Sequence, residues 1–301
     1  MAEAALLACD WGTTNLRAWT LDGRGGVVEA REFDCGVGRL QPGEAERVFR
    51  DQVRPQLGAE GLPALLCGMI GSTLGWRVVP YVDCPAALDD LVRGLADVED
   101  DVRIVPGLRG PGVAGAPDVM RGEETQILGW IEQDPARRQG EHLICHPGTH
   151  AKWALVRDGR LERFVTSMTG ELFSLVTRHG VLKTDAPADD EAAFDLGVEA
   201  AGDGSALAAR LFTARARIVG GDATPESSAS YLSGLLIGAD VASTPRLLGA
   251  GTGPVVLIGE PDLCAHYERA LAARGLSSTS HDGREAALSG LAAIHRRGAG
   301  T

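Results

Sequence analysis

Asp10, Gly12, Thr13, Thr14 and Asn15 follow directly on the apolar run Leu6-Leu7-Ala8-Cys9, which has strand length. Their types suit the holding of a polyanion. Clustered backbone N–H groups at a small, polar tip form an anion nest. A carboxylate beside the nest suits magnesium, which is held through one or two carboxylates together with substrate phosphates. Gly-Thr-Thr alone equally suits an ordinary hairpin, and an echo favours the nest. At an offset of 136 residues, Gly12 to Gly148, the chain repeats itself without a gap. Gly148-Thr149 falls on Gly12-Thr13, Ala154 on Ala18, and Asp158-Gly159 on Asp22-Gly23. A duplicated unit of this kind, one copy per domain, would let two facing tips grip the two ends of a polyphosphate.

Other residues bring different chemistry. Glu123 and Glu124 open a helical stretch shortly before the second hairpin. Acids in a first helical turn are favoured by the helix dipole whatever their role. Either one could also serve as general base into an interdomain cleft, with Arg121 beside it to meet an anion; Glu123 is slightly favoured. In the Gly-rich segment 68–76 and just beyond, Ser72, Trp76 and Tyr81 offer a hydroxyl and ring faces to a sugar-like ligand. The alternative for the rings is a place in the core. His142, His146 and His150 have zinc-like spacing, but that spacing works from a helix, and Pro147-Gly148 with the strand before it forbids one. His150 and Lys152 serve instead as cationic donors on or just after the turn. Gly234 and Gly238 interrupt an apolar helical stretch, which calls for close approach by a flat ligand such as adenine, or by another helix. The run 255–258 ending at Gly259, with a helix after it, has the form of a nucleotide-edge loop.

Two units must position these groups. The first is expected to hold strands at 6–10, 16–20, 27–33, 64–67 and 102–105, with helices at 44–53 and 87–98. The Gly- and Pro-rich segment 106–118 reads as the crossing between domains, giving domains 1–118 and 119–301. The second carries strands at 143–145, 151–157, 161–165 and 255–258, and helices at 170–179, 207–219, 230–242 and 262–273. An acidic, proline-containing loop spans 185–191, and an amphipathic helix at 285–297 could pack back on the first domain.

Composition bounds the reading. In 301 residues there is room for two substantial cores, and 44% hydrophobic content is that of a globular chain. Asp and Glu outnumber Lys and Arg by 41 to 29, which argues against non-specific nucleic-acid or anionic-membrane partners. No apolar run is long enough to span a bilayer, and the N-terminus lacks a signal-peptide pattern. Six cysteines without a Cys-x-x-Cys pair are expected to be reduced thiols in a cytoplasmic protein. Homo-oligomerisation is left open.

The order of these motifs resembles the actin/hexokinase/Hsp70 ATPase superfamily, and within it the chain is similar to the 2-dehydro-3-deoxygalactonokinases. The matching segments are 10–19, Gly68-Met69-Ile70-Gly71-Ser72 with Gly75-Trp76, Val119-Met120-Arg121-Gly122-Glu123-Glu124-Thr125-Gln126, 147–153, 168–172 and 233–242. The resemblance implies a two-domain ribonuclease H-like α/β fold, each domain a mixed five-stranded sheet flanked by helices. It implies ATP-dependent phosphorylation of 2-dehydro-3-deoxy-D-galactonate at its 6-hydroxyl, with Mg2+ at Asp10. Gly12, Thr13, Thr14 and Asn15 would hold phosphates from one side, Gly148 and Thr149 from the other. Gly234, Gly238 and Gly259 would lie along the nucleotide. Glu123 or Glu124 would take the acceptor's proton. Arg121, His150 and Lys152 would meet the carboxylate or the phosphoryl, and Ser72, Trp76 and Tyr81 the sugar-acid body. The superfamily's second hairpin usually begins with Asp; here His146 stands there. Competing readings are an exopolyphosphatase-like phosphohydrolase and a non-enzymatic nucleotide-dependent switch.

Overall fold

The computed structural model describes residues 2–180, 182, 189–251 and 253–298, so most of the acidic loop expected at 185–191 lies outside the described residues. The chain begins with β1 (Ala4–Trp11), β2 (Leu16–Asp22), β3 (Val27–Phe33), α1 (Ala45–Val48) and α2 (Arg54–Gln56), the two helices joined through a wider turn at Phe49–Val53. Then come β4 (Ala64–Gly68), β5 (Val82–Asp83), α3 (Leu88–Arg93), β6 (Ala96–Glu99), β7 (Val102–Ile104), β8 (Leu108–Pro111) and β9 (Pro117–Met120). The rest runs α4 (Glu123–Glu132), β10 (Glu141–His146), β11 (Ala151–Arg157), β12 (Arg160–Ser167), α5 (Thr169–His179), α6 (Glu191–Ala200), α7 (Leu207–Gly220) and α8 (Ser228–Leu248). It closes with β13 (Val255–Gly259), α9 (Pro261–Ala272), β14 (Ser278–Asp282) and α10 (Gly283–Gly298).

The echo in sequence is an echo in topology. One sheet has the order β3-β2-β1-β4-β7-β6 and the other β12-β11-β10-β13-β14. In each, a three-stranded antiparallel meander is extended by parallel strands on the far side of its first member. Strand parity then decides what faces what. On β1, Leu7, Cys9 and Trp11 point into an outer core beneath α1 and α2, while Leu6 and Ala8 point into the core shared by both sheets. On β10, Leu143 and Cys145 face the outer core with α8 and α9, and Ile144 faces the shared one. Asp10 and His146 continue the inward rows, so both emerge at the strand ends into the space between the sheets.

That space is occupied further down by α4 and α10, which cross at two glycines. A Cβ on Gly129 would lie 2.0 Å from the Ala286 carbonyl oxygen, and one on Gly290 would lie 2.2 Å from that of Thr125. The reciprocal contacts place the two helix backbones against each other. They also fix α10 between the sheets, with Leu291 and Ile294 in the shared core beside Leu6 and Leu65.

Two expectations need correction. The first sheet has six strands rather than five, because the helix expected at 87–98 stops at Gly94. Residues 96–99 pair antiparallel with β7 instead, and a Cβ at Gly94 would lie 2.9 Å from both Pro106 and Val82 side chains. The segment 106–118 is not a plain loop either. β8 and β9 form a small third sheet with β5, pairing at an edge where Pro is tolerated. Asp118 accepts hydrogen bonds there from Thr166 N (2.7 Å) and Thr166 Oγ1 (2.6 Å), tying this sheet to β12.

Candidate active site

Both hairpin tips open onto one cleft of about 340 Å³, lined among others by Asp10, Gly12, Thr13, Thr14, Asn15, Arg121, Glu123, Gln126, Gly148, Thr149 and His150. The first tip is braced from behind. The carbonyls of Gly12, Thr13 and Thr14 accept from the amides of Val37, Gly38 and Gly36 at 2.9–3.0 Å. Gly36 is required for this approach, since a Cβ there would fall 2.1 Å from the Thr14 carbonyl carbon. The amides of Thr13 and Thr14 donate to no backbone carbonyl among the described residues. What the tip offers the cleft is therefore N–H, as an anion requires. The second tip is braced by the start of α5, where Glu171 N donates to Thr149 O at 2.9 Å and Gly170 lies against Gly148.

Helix α4 enters the cleft at Gly122, whose φ of 107° is open to glycine and strained for other residues. Its two acids then part. Glu124 is fully buried, its carboxylate accepting from Gly122 N (2.7 Å) and Thr125 Oγ1 (2.9 Å). Burial, with the neighbouring Glu123 charge, pushes its pKa up to about 8. Glu123 lines the cleft, accepts from Arg121 N at 3.0 Å, and has Lys152 Nζ 3.9 Å from its other oxygen. Of the pair, the cleft receives Glu123; Glu124 supports the helix start and lies outside it.

Asp10 sits between these parts. Enclosure by its walls pushes its carboxyl up to about 6 against the opposing pull of Arg17, with Glu123 adding to the rise. Gln126 Nε2 donates to Asp10 Oδ2 at 3.4 Å, and Gln126 Oε1 pairs with His146 Nε2 at 2.7 Å. The corresponding corners of the two sheets are thus joined through one side chain of α4. Burial lowers the His146 pKa, so its imidazole is neutral near pH 7.

The sequence profile described as 2-keto-3-deoxy-galactonokinase matches residues 10–294. A 2-dehydro-3-deoxygalactonokinase from Escherichia coli (strain K12) is 36% identical over 296 residues, 97% of each chain. The chain belongs to the 2-keto-3-deoxy-galactonokinase family. A Rhizobium meliloti (strain 1021) relative assigned the same activity is 37% identical over 300 residues, 96% of each chain. A crystal structure of a Sinorhizobium meliloti protein, assigned as a 2-dehydro-3-deoxygalactonokinase, superposes with a TM-score of 0.85 at 35% identity, covering 97% of this chain and 98% of that one. At 12% identity and a TM-score of 0.52, the ADPNP-bound activator of 2-hydroxyisocaproyl-CoA dehydratase from Clostridium difficile shares the fold.

Within this member of the kinase family, the remaining sequence-stated residues divide. Tyr81 carries Arg121 on its ring, 4.4 Å from guanidinium carbon to centroid. Trp76 packs on Phe49 at 5.5 Å and joins the outer core, and Ser72 Oγ donates to Met69 O at 2.7 Å, closing its own turn. Neither lines the cleft. Gly234 and Gly238 face α6: a Cβ on Gly234 would lie 2.0 Å from Phe194 O, and one on Gly238 2.9 Å from Val198 Cα. The close approach they allow is to a helix, not to adenine. The opposite side of α8, through Ser233, Leu236 and Ile237, does line an apolar cavity of about 360 Å³ beside Gly148 and Thr149, shared with Thr169, Phe173, Leu263, His266 and Tyr267. Gly259 ends β13 behind Pro147, outside both cavities. His142, His146 and His150 go to separate partners, Arg137 O, Gln126 and Glu171, and no metal cluster of His, Cys, Asp or Glu occurs among the described residues.

Two cleft residues had no role in the sequence reading. Gln126 lies one turn after Glu123 on the same helical face, a spacing that signals it. Arg17 stands opposite Asp10 in the β1–β2 register and reaches Glu260 at 2.5 Å. No helix is long and apolar enough to cross a membrane among the described residues, and all six cysteines are free.

Proposed function

We propose that this chain transfers the γ-phosphoryl group of ATP to the 6-hydroxyl of 2-dehydro-3-deoxy-D-galactonate, giving 2-dehydro-3-deoxy-6-phospho-D-galactonate and ADP in galactonate catabolism, as a cytoplasmic enzyme. The observation that supports it best is the meeting of Glu123 with both N–H-bearing tips on one cleft. Phosphoryl transfer asks a protein mainly for alignment and charge neutralisation. Thr13, Thr14 and Asn15 would grip phosphates from the first sheet, and Gly148 and Thr149 from the second. The apolar cavity beside Thr149 would take the adenosine. Glu123 would accept the 6-hydroxyl proton as that oxygen bonds to phosphorus and the bridging oxygen leaves with ADP.

Asp10 fits magnesium. Its carboxylate faces the cleft beside an anion nest, and Mg2+ is bound by one or two carboxylates shared with phosphates. When bound there, the ion supplies charge neutralisation to the polyphosphate. His146 donates no negative charge, so Asp10 would carry that duty without help from the second corner. Domains 1–118 and 119–301 would close around both substrates and exclude water, which otherwise competes as acceptor.

The test is ADP release measured across a panel of 2-keto-3-deoxy sugar acids. Turnover that requires the acid, with the product carrying phosphate at C6, is expected. Equal phosphate release from ATP or polyphosphate with and without the acid would replace the kinase by a phosphohydrolase.

A further inference from the structure

We infer that Arg121 binds the carboxylate of the acceptor, so that this site selects acids over neutral sugars; the inference rests on the kinase reading above. Four basic side chains lie near the cleft, and three are already engaged with acids. Arg17 pairs with Glu260 at 2.5 Å, His150 with Glu171 at 2.6 Å on the exposed rim, and Lys152 has Glu123 at 3.9 Å. Arg121 differs from all three. It is 8% exposed, Nη2 donates to Val79 O at 2.7 Å, and Nε and Nη1 have no partner among the described residues. A guanidinium stays charged at any working pH, and leaving its buried N–H groups unpaired is unfavourable. An anion entering the cleft that Arg121 lines would complete it.

The surroundings say which anion. Tyr81 places its ring 4.4 Å from the guanidinium carbon, and a guanidinium offers the planar fork that suits bidentate pairing with a planar carboxylate. Gly71 leaves the room: a Cβ there would lie 2.7 Å from Nη1. Gly71, Val79 and Tyr81 all belong to the stretch between β4 and β8, apart from the two tips whose amides suit phosphates. Arg121 and Glu123 leave the same turn, joined by the 3.0 Å bond from Arg121 N to the Glu123 carboxylate. An acceptor held at its acid end by Arg121 would lie in the cleft that Glu123 also lines.

The experiment compares kcat/KM for the sugar acid and for its C1 primary amide, which keeps the terminal hydroxyl and loses the charge. Wild type is expected to prefer the acid by about 10²-fold, the worth of a paired, charge-assisted bond. In Arg121→Gln the acid's KM rises by a similar factor and the preference falls to within severalfold of one, with Arg121→Lys between the two. Gly71→Ala, which keeps the guanidinium but displaces it, moves the ratio the same way by less. Thermal melts establish that each variant is folded; if Arg121→Gln is not, the wild-type ratio and Gly71→Ala decide. A wild type that phosphorylates acid and amide equally overturns the inference. So does an Arg121→Gln enzyme whose ratio is intact while its KM for ATP rises, since that assigns Arg121 to phosphate. Wild type inactive on every 2-keto-3-deoxy acid overturns the kinase reading itself.

Discussion

The corner where β1 meets α4 and the corner where β10 meets α10 share a frame and differ in charge. Gly68 ends β4 and touches Gly122 at the head of α4; Gly259 ends β13 and touches Gly283 at the head of α10. At a constant offset of 161 residues, Gly122 corresponds to Gly283 and Gly129 to Gly290, the pair on which the helices cross. The side chains then diverge. The first corner holds Asp10, Glu123 and the buried Glu124. The second holds His146, kept neutral by burial, and Arg284, which reaches Glu32 at 3.6 Å and Glu260 at 3.8 Å. Glycines recur because backbone contact between packed elements leaves no room for a Cβ. The cleft-facing acid does not recur: at the same offset Arg284 replaces Glu123, while an exposed Glu285 stands for the buried Glu124, and one anionic substrate needs a single base and tolerates few fixed negative charges nearby. Duplication supplies the frame, and one copy carries the chemistry.

The sharpest break in that symmetry is at the base. Glu123→Gln is expected to lower kcat by about 10³-fold, within the 10²–10⁴ range of positioned acid–base groups, while Glu124→Gln stays within about tenfold. Steady-state rates on the sugar acid decide it, and equal losses would mean the two carboxylates share the role. Next in size is the Asp10–His146 contrast. Asp10→Asn should lower kcat by about 10²-fold with no loss of melting temperature at pH 7, as removal of one transition-state stabiliser does. His146→Asn, which loses a bond to Gln126 but no charge, should cost less. A larger loss at His146 would place the working corner in the second sheet.

The crossing glycines are predicted to behave alike. Gly129→Ala and Gly290→Ala should each destabilise by about 1–3 kcal/mol, the usual penalty of overpacking; a marked difference in denaturant midpoints would show the two contacts are not equivalent. A further contrast concerns pH. The Glu124 pKa is about 8 in the folded chain against 4.5 in the reference state, so folding takes up a proton between those values. Stability should therefore fall as pH rises from about 4.5 towards 8 and level off above it. Glu124→Gln should flatten that slope, read by thermal melts across the window.

Much of the frame was legible in the residues themselves. The gapless 136-residue echo gave two hairpins, and their tips do share a cleft. Errors arose where local pattern competes with distant pairing. Residues 96–99 read as helix because they continue a helical run, yet β7 supplies hydrogen-bond partners and Gly94 breaks the run first. Gly234 and Gly238 marked a close approach correctly, but a glycine declares only that something comes near, not whether it is adenine or α6.

By itself the sequence determined strand periodicity, the two Gly-Thr bends and the presence of acids at the head of α4, since each follows from neighbours along the chain. Only the tertiary structure decided which acid enters the cleft and that Arg121 keeps two unpaired donors there. It also decided that Gln126 joins Asp10 to His146, 20 residues apart from the one and 116 from the other. Those outcomes depend on which face each element buries against partners remote in sequence, and no local pattern carries that information.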